Sequence, residues 1–266
     1  MALLVTERAV RDRRGGLVGW ALGIGAYVGL ISSIYPAVHD SEVQRVIRNY
    51  PRELKAFFGG SASFDFTTGA GYLNVELFSL IVPALLVIVA ISYGAATLAG
   101  EEDAGSLDLL LAYPVTRRQV VLEKVAGLAL TLVALGGVVT AAVLLVGVFA
   151  DLEIGVDRVV SASLGVVLVA MFVGLLAMLT GALTGSRTLA IGIPTVVFAA
   201  SYLVVGLAGL VSWLKPLRYA SPLYHATGTL PLRNGLPVAN YALLAALCAA
   251  AILGAVVAFE RRDLAR

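Results

Sequence analysis

Few side chains in this sequence are of types that carry out chemistry. The histidines are His39 and His225, and two imidazoles do not supply a cluster of histidine ligands for a metal. The lysines are followed by Ala, Val and Pro, whereas phosphate-cradling loops end in Gly-Lys-Ser/Thr. The sequence also has no HExxH. These observations exclude a P-loop ATPase within this chain and leave little for metal-dependent hydrolysis.

Two weaker patterns keep a membrane-embedded enzyme open as an alternative. Glu101-Glu102 would suit a membrane glutamate protease if an arginine followed four residues after the second acid, but position 106 is Ser. His225 has Ser221 at helical spacing, the residue pair that a serine–histidine protease would need. A capped or interfacial histidine explains the same spacing. We therefore predict that the chain catalyses no bond chemistry.

The composition is typical of an integral membrane protein. Of its 266 residues, 59% are hydrophobic and 14% are charged, whereas a soluble domain is about 25% charged. The net charge of +2 gives no reason to expect nucleic-acid binding. The single cysteine, Cys248, lies in an apolar run, so it forms no intrachain disulfide and is expected to be a packing residue.

Six runs without charged residues are each long enough to cross a hydrocarbon core of roughly 30 Å. Gly25 and Gly29 are spaced for close helix contact in the first run, and Pro83 predicts a kink in the second. The last helix is expected to start after Pro237. We predict an all-α membrane protein with one domain, residues 1–266. The six runs are 15–38, 77–100, 125–150, 159–186, 188–214 and 234–259.

The segments between the runs predict orientation. With the N-terminus inside, the inside segments hold the larger share of the 19 Lys and Arg residues, so both termini are predicted to be cytoplasmic. Residues 1–16 suit an N-terminal interfacial helix or an ordinary basic flank, and they lack the cleavage site of a signal peptide. Residues 39–74 and 212–236 are predicted to be external. The second segment is half apolar with three prolines, which indicates a re-entrant or interfacial segment before the last span.

The longest charged interruption is 101–124, EEDAGSLDLLLAYPVTRRQVVLEK. Three acids precede residues 106–112, which we predict to form a short helix that ends before Pro114. Four leucines in five positions make this helix apolar although it lies in a water-facing loop. Such a surface needs a partner to cover it, and we interpret it as a docking site. The alternative is that the leucines lie on the membrane surface.

Hydroxyl groups are the main polar side chains left inside the six runs. Carriers coupled to protons or sodium usually hold ionisable groups in their spans, and none is predicted here. Energy for uphill transport would therefore enter from outside the membrane. For each candidate hydroxyl, a bond to its own helix backbone is the alternative explanation. The candidates for lining a path are Ser92, Tyr93, Thr97, Ser201 and Tyr202.

The order of these features resembles that of the permeases of ABC type-2 exporters. Residues 105–117, Gly-Ser-Leu-Asp-Leu-Leu-Leu-Ala-Tyr-Pro-Val-Thr-Arg, resemble that family's motif Gly-Ser/Thr-Leu-(Asp/Glu)-Leu-Leu-Leu-x-x-Pro-(Val/Ile)-(Ser/Thr)-Arg. The motif follows an acid-rich end of the second span, as in the family. The resemblance covers the whole chain in layout and about residues 95–125 in detail. The long segment 39–74 departs from the antibiotic and polysaccharide exporters and is closer to the subgroup with the nitrous-oxide-reductase maturation permease.

The resemblance implies a permease subunit of an ATP-driven exporter in the cell membrane. Two permease subunits, identical or homologous, would form the path, and 101–118 would be the cytoplasmic coupling helix and loop seated on a separate ATP-binding subunit. Two copies of that subunit would bind ATP and Mg²⁺, while this chain would bind no cofactor or metal. The apolar path predicts a lipophilic or amphiphilic cargo. By carry-over, the candidate interface residues are Glu101, Glu102, Ser106, Leu107, Leu109, Leu110, Arg117 and Arg118.

Two alternatives from other classes remain. One is the intramembrane enzyme considered above. The other is a membrane anchor or sensor that docks a cytoplasmic partner through the same residues, 101–118, without transporting anything. Ligand-stimulated ATP turnover by the partner would distinguish a transporter from an anchor.

Overall fold

The part of the chain that the structure describes contains six helices, each long and apolar enough to cross a membrane. The computed structural model describes residues 14–38, 51, 66, 68–100 and 116–261. Within these residues every regular element is helical, so the prediction of an all-α membrane protein with six spans is confirmed. The helices are α1 (Arg14–Val38), α2 (Gly69–Thr97), α3 (Arg117–Gly147), α4 (Val156–Thr184), α5 (Arg187–Leu207) and α6 (Val238–Arg261).

The start of α3 is set by its cap. The Thr116 hydroxyl accepts a hydrogen bond from the Gln119 amide, and the Gln119 side chain accepts one from the Thr116 amide. This capping box satisfies backbone donors that the helix leaves open. The helix therefore begins at Arg117, well before the apolar run predicted from residue 125, and it carries Lys124 into the packed bundle, where this side chain is 5% exposed. The prediction from charge-free residues placed the start of α3 too late, because a helix can continue through charged residues at a membrane surface.

The start of α2 also lies earlier than the sequence predicted. Thr68 caps the helix by accepting a hydrogen bond from the Gly71 amide, and helical structure begins at Gly69 rather than near residue 77. A π-helical turn, Asn74–Phe78, follows, and regular helix resumes at Ile81. Pro83 lies in the first turn after this interruption, where a residue without an amide hydrogen is tolerated. The kink predicted from Pro83 thus corresponds to a break just before it.

The centre of the bundle is α4, which packs against α2, α3, α5 and α6. Glycines allow its backbone to approach α2 closely. A Cβ atom built on Gly94 of α2 would collide with the carbonyl oxygen of Gly174 in α4, and one built on Gly174 would meet the Ala90 carbonyl at 3.1 Å. Small residues at such crossings increase the van der Waals contact on which helix association in membranes depends.

The first helix lies at the edge of the bundle and packs mainly on α3. A Cβ atom on Gly25 would come within 3.2 Å of Val138, and one on Gly29 within 3.8 Å of Val146. The predicted close helix contact is confirmed at Gly25, whereas Gly29 lies at an ordinary van der Waals distance from α3. Contacts of α1 with α2 are concentrated in residues 69–78.

The segment before the last span is built from short helical turns. The preceding helix α5 ends at Leu207, earlier than the predicted run, and α6 begins at Val238, as predicted from Pro237. Between them, the π-helical turn Tyr224–Gly228 packs against α4 and α6. A Cβ atom on Gly165 of α4 would meet the Ala226 carbonyl oxygen at 2.6 Å, so this segment reaches into the bundle rather than lying outside it.

Several predicted features lie outside the described residues. Residues 1–13 of the predicted interfacial helix and 101–115 of the coupling loop are among them, as is most of 39–74. Residues 14–16 begin α1, and residues 116–118 begin α3.

Candidate functional site

The two ends of the bundle differ in their charges. We call the end that contains Arg117, Arg187 and Arg261 the basic end, since an arginine stands there at the start of α3, at the start of α5 and at the end of α6. The opposite end carries acids in the turn between α3 and α4, among them Asp151 and Glu153. The segment 101–115 joins α2 to α3 at the basic end.

Of the predicted docking residues, the two arginines lie within the described residues, at the first turn of α3. Arg117 donates a hydrogen bond from Nη1 to the Phe259 carbonyl oxygen at 3.0 Å, and its guanidinium carbon lies 5.8 Å from the centroid of that ring. Arg118 is exposed. Arg117 therefore contacts the last turn of α6, whereas Arg118 is available at the surface. The other predicted docking residues, all outside the described residues, are Glu101, Glu102, Ser106, Leu107, Leu109 and Leu110.

One face of α2 remains at the surface while the rest of the helix is buried. From Ile81 onward its unburied side chains recur every three or four residues and so form a single line along the helix. We call this line the α2 stripe. It is apolar except for one hydroxyl group. Its members are Ile81, Ala84, Leu85, Ile88, Ser92 and Ala96.

The predicted path residues of α2 point in different directions. Ser92 belongs to the α2 stripe. Tyr93 is buried, and its hydroxyl lies where a Cβ atom of Gly127 in α3 would be. Thr97 is also buried, and its hydroxyl donates to the Gly94 carbonyl oxygen in the same helix at 2.8 Å. Of these three residues, Ser92 alone faces outward.

The predicted path residues of α5 lie beside the segment that precedes α6. The Ser201 hydroxyl donates to the Val197 carbonyl oxygen of its own helix at 2.7 Å, and the Ser201 carbonyl accepts from the Ser221 hydroxyl at 3.2 Å. Tyr202 is partly exposed and packs against the small cluster that contains Leu223. Both residues therefore help to seat residues 221–228 on α5.

Sequence reasoning missed an acid inside a span. Glu76 lies in the π-helical turn of α2 and is partly exposed. Its carboxyl group lies within electrostatic range of the phenol groups of Tyr27 in α1 and Tyr72 in α2. The Tyr72 hydroxyl donates to the Ile31 carbonyl oxygen at 2.8 Å, which fixes α2 against α1 at this level. The signal that could have revealed it is the Thr68-Gly69 helix start, which places Glu76 within the helix.

The histidine considered for catalysis forms two hydrogen bonds that do not involve a serine. His225 Nδ1 lies 2.7 Å from Asn240 Oδ1, and its Nε2 lies 2.8 Å from the Tyr219 carbonyl oxygen. Ser221 donates instead to Ser201, as described above. Nδ1 thus connects residues 219–225 to α6, Nε2 connects the ring to Tyr219 within the same segment, and the pair required for nucleophilic catalysis is not formed.

A cation–aromatic cluster covers this histidine. Arg218 donates from Nη2 to the Tyr219 hydroxyl at 2.8 Å, and its guanidinium carbon lies 4.9 Å and 5.2 Å from the ring centroids of Tyr219 and Tyr224. The hydrogen bond from Arg218 lowers the pKa of Tyr219 below its ordinary value. The same bond raises the pKa of Arg218.

A cavity of about 600 Å³ lies at the end of the bundle opposite the basic end. Its wall includes Tyr35 and Thr68, beside the aromatic pair of Tyr35 and Tyr72, whose ring centroids are 5.5 Å apart. Arg158 and Arg233 also line it, together with acids of the α3–α4 turn. Within the described residues, no group of three or more His, Cys, Asp or Glu is placed to hold a metal ion.

The comparison with protein families supports the transporter among the classes considered so far. A sequence profile of the ABC-2 family transporter proteins matches residues 4–264, nearly the whole chain. The chain belongs to the ABC-2 transporter family. A search of curated proteins found no match. This permease is a multi-pass membrane protein, and its family implies partnership with an ABC ATP-binding subunit.

Proposed function

We propose that this permease is the transmembrane subunit of an ATP-driven exporter, works as a dimer, and is coupled to separate ATP-binding subunits through residues 101–118. Membership of the ABC-2 family is the observation that carries the proposal. The charges of the bundle support its orientation, because arginines begin α3 and α5 and end α6 where 101–118 joins the helices, whereas the short α3–α4 turn at the other end is acidic, and cytoplasmic segments are rich in Lys and Arg. Both termini are then cytoplasmic.

The path in this proposal runs along the α2 stripe. This stripe is the part of α2 that the protomer leaves uncovered, and its largely apolar side chains suit a lipophilic or amphiphilic cargo. Ser92 is the predicted path residue that lies on it. A second permease subunit would enclose the stripe from the other side.

Dimer formation is supported by the surface of α5. Much of this helix is exposed, and Gly192, Thr195 and Ala199 repeat along one exposed face. Small residues at this spacing allow two helices to approach closely in a membrane. Because no charged side chain lies on this face between its two ends, it suits a helix–helix contact within the bilayer.

Coupling in this proposal is mechanical. ATP and Mg²⁺ bind to the partner subunits, which move together and displace 101–118. Arg117 transmits this displacement, since the same residue begins α3 and contacts the last turn of α6 at Phe259. The displacement tilts the spans and opens the path between protomers, and the permease itself catalyses no bond chemistry.

The test is reconstitution of the permease with its ATP-binding partner, followed by pull-down and by measurement of ATP turnover. Leu109→Glu and Glu102→Arg should each weaken binding and abolish stimulation of the ATPase, because the leucine supplies apolar contact area and the acid sets orientation. Leu236→Glu, the same chemical change at an exposed site in the segment before α6, should leave both readouts unchanged. Unchanged binding in Leu109→Glu would refute the proposed docking site.

A further inference from the structure

Glu76 lies inside the helix that forms the second span. It is seven positions after Gly69, the first residue of a helix that reaches Thr97, and a rise of about 1.5 Å per residue puts it roughly 10 Å along the helix. Apart from Lys124, which lies near the basic end, the described basic side chains belong to the helix ends and connecting segments. A carboxylate at such a position is costly unless a cation or a proton accompanies it.

The surroundings of Glu76 favour an organic cation. The phenol rings of Tyr27 and Tyr72 belong to the two helices that meet at this carboxylate, and aromatic rings attract cations electrostatically. Tyr72 is held in place by its bond to Ile31, whereas Tyr27 and Glu76 are partly exposed and so reachable by a ligand. The π-helical turn that carries Glu76 is a geometry often found at functional sites.

The α2 stripe adds an apolar surface beside this carboxylate. It begins at Ile81, directly after the interruption in α2, and continues through Leu85 and Ile88 toward the basic end. From Glu76 to Ile88 the helix extends roughly 18 Å, which would accommodate the apolar body of an amphiphile. A charged head at Glu76 with an apolar part along the stripe also has the orientation of an amphiphile in one leaflet of a bilayer.

We propose that Glu76 and Tyr27 bind the positively charged head of an amphiphilic organic cation, beside Tyr72, which holds α1 against α2, and that the α2 stripe binds the apolar part of the cation. This assignment rests on the proposed exporter function and names its class of cargo. The carboxylate supplies the opposite charge, the partly exposed Tyr27 ring contacts the head, and the stripe excludes water from the tail.

The test uses a matched pair of ions, tetraphenylphosphonium and tetraphenylborate, which have similar size and shape and opposite charge. Binding of each is measured by equilibrium dialysis against the purified permease in nanodiscs of uncharged lipid, without any ATP-binding subunit. Glu76→Gln should weaken saturable binding of the cation by about tenfold, and should not weaken binding of the anion. Glu260→Gln, the same change at an exposed site near the end of α6, should alter neither.

A second pair of variants guards against loss of folding in Glu76→Gln. Tyr27→Leu should weaken cation binding, whereas Tyr27→Phe, which keeps the aromatic ring, should retain most of it. The assignment is overturned if the wild-type permease shows no saturable binding of the cation. It is equally overturned if Glu76→Gln affects cation and anion alike, or if the two Tyr27 variants behave identically. The binding test uses the permease alone. If the permease did not stimulate ATP turnover by its partner, the exporter function would be refuted, but the proposed binding site would not.

Discussion

Arg117 at the start of α3 is hydrogen-bonded to Phe259 in the last turn of α6. Its Nη1 donates to the Phe259 carbonyl oxygen at 3.0 Å, and its guanidinium carbon lies 5.8 Å from the ring centroid of Phe259, which is 1% exposed. A positive charge at the carboxyl end of a helix offsets the negative end of the helix dipole. The residue that ends the proposed docking motif therefore also ties the third span to the last one.

Replacing this arginine should destabilise the permease. Arg117→Ala removes a charge-assisted hydrogen bond and a favourable dipole interaction, together about 1 kcal/mol at a partly exposed site. Thermal unfolding of the purified permease should show a lower transition temperature. Arg117→Lys keeps the charge but not the planar donor group, so its transition temperature should lie between those of the wild type and Arg117→Ala. Arg118→Ala is the matched control, because Arg118 is exposed, and an equal loss in both alanine variants would contradict this reading.

The contact between α2 and α4 makes a second prediction. A Cβ atom on Gly94 would collide with the Gly174 backbone, which has little room to move, so Gly94→Ala should lower stability by about 1–3 kcal/mol. Gly137→Ala, in the middle of α3, meets nothing within 4 Å and should be neutral or slightly stabilising. The measurement is the fraction of folded protein against denaturant in detergent. Equal behaviour of the two variants would show that the close approach is absent.

The number and kind of spans could be predicted from the sequence, but the starts of α2 and α3 could not. Six runs without charge correspond to six helices because water-free surroundings leave little alternative for the backbone. The starts of α2 and α3 depend on the caps at Thr68 and Thr116, which extend each helix into charged sequence. As a result Glu76, predicted to precede the second span, lies inside it.

Which side of a helix faces the bundle depends on partners that are distant in sequence. Ser92 and Tyr93 are adjacent hydroxyl residues in the same apolar run, yet Tyr93 is buried beside Gly127 and Ser92 is exposed. The α2 run is apolar on all sides, so periodicity gives no face to choose. The hydrogen bonds of His225 could not be predicted from the sequence either, because its partners Asn240 and Tyr219 lie on separate elements.

The contact between Arg218 and Tyr219 predicts a pH-dependent signal. Because the Arg218 hydrogen bond lowers the pKa of Tyr219, Arg218→Gln should move the titration of this phenol to higher pH. Ultraviolet absorbance of the phenolate, taken as a difference from Tyr219→Phe, isolates this residue from the other tyrosines. A pKa lowered in the folded state favours the ionised form. The ionised Tyr219 therefore stabilises the folded protein fully at a pH above the pKa that Tyr219 has in the unfolded chain. This stabilisation is lost as the pH falls through the lower pKa that Tyr219 has in the folded protein. An unchanged titration in Arg218→Gln would refute the contact.

Cysteine accessibility tests whether the α2 stripe lines a path. In a Cys248→Ser background, Ser92→Cys and Ile88→Cys place thiols on the stripe, while Ala95→Cys places one at a buried position of the same helix. If the stripe faces a water-accessible path between protomers, a charged, membrane-impermeant thiol reagent should label the stripe positions in the assembled transporter and leave Ala95→Cys unmodified. Labelling by a lipid-soluble reagent alone would mean that the stripe faces the bilayer. In that case the cargo path would have to lie along another helix, and α5, with its exposed hydroxyl and glycine positions, would be the next to test.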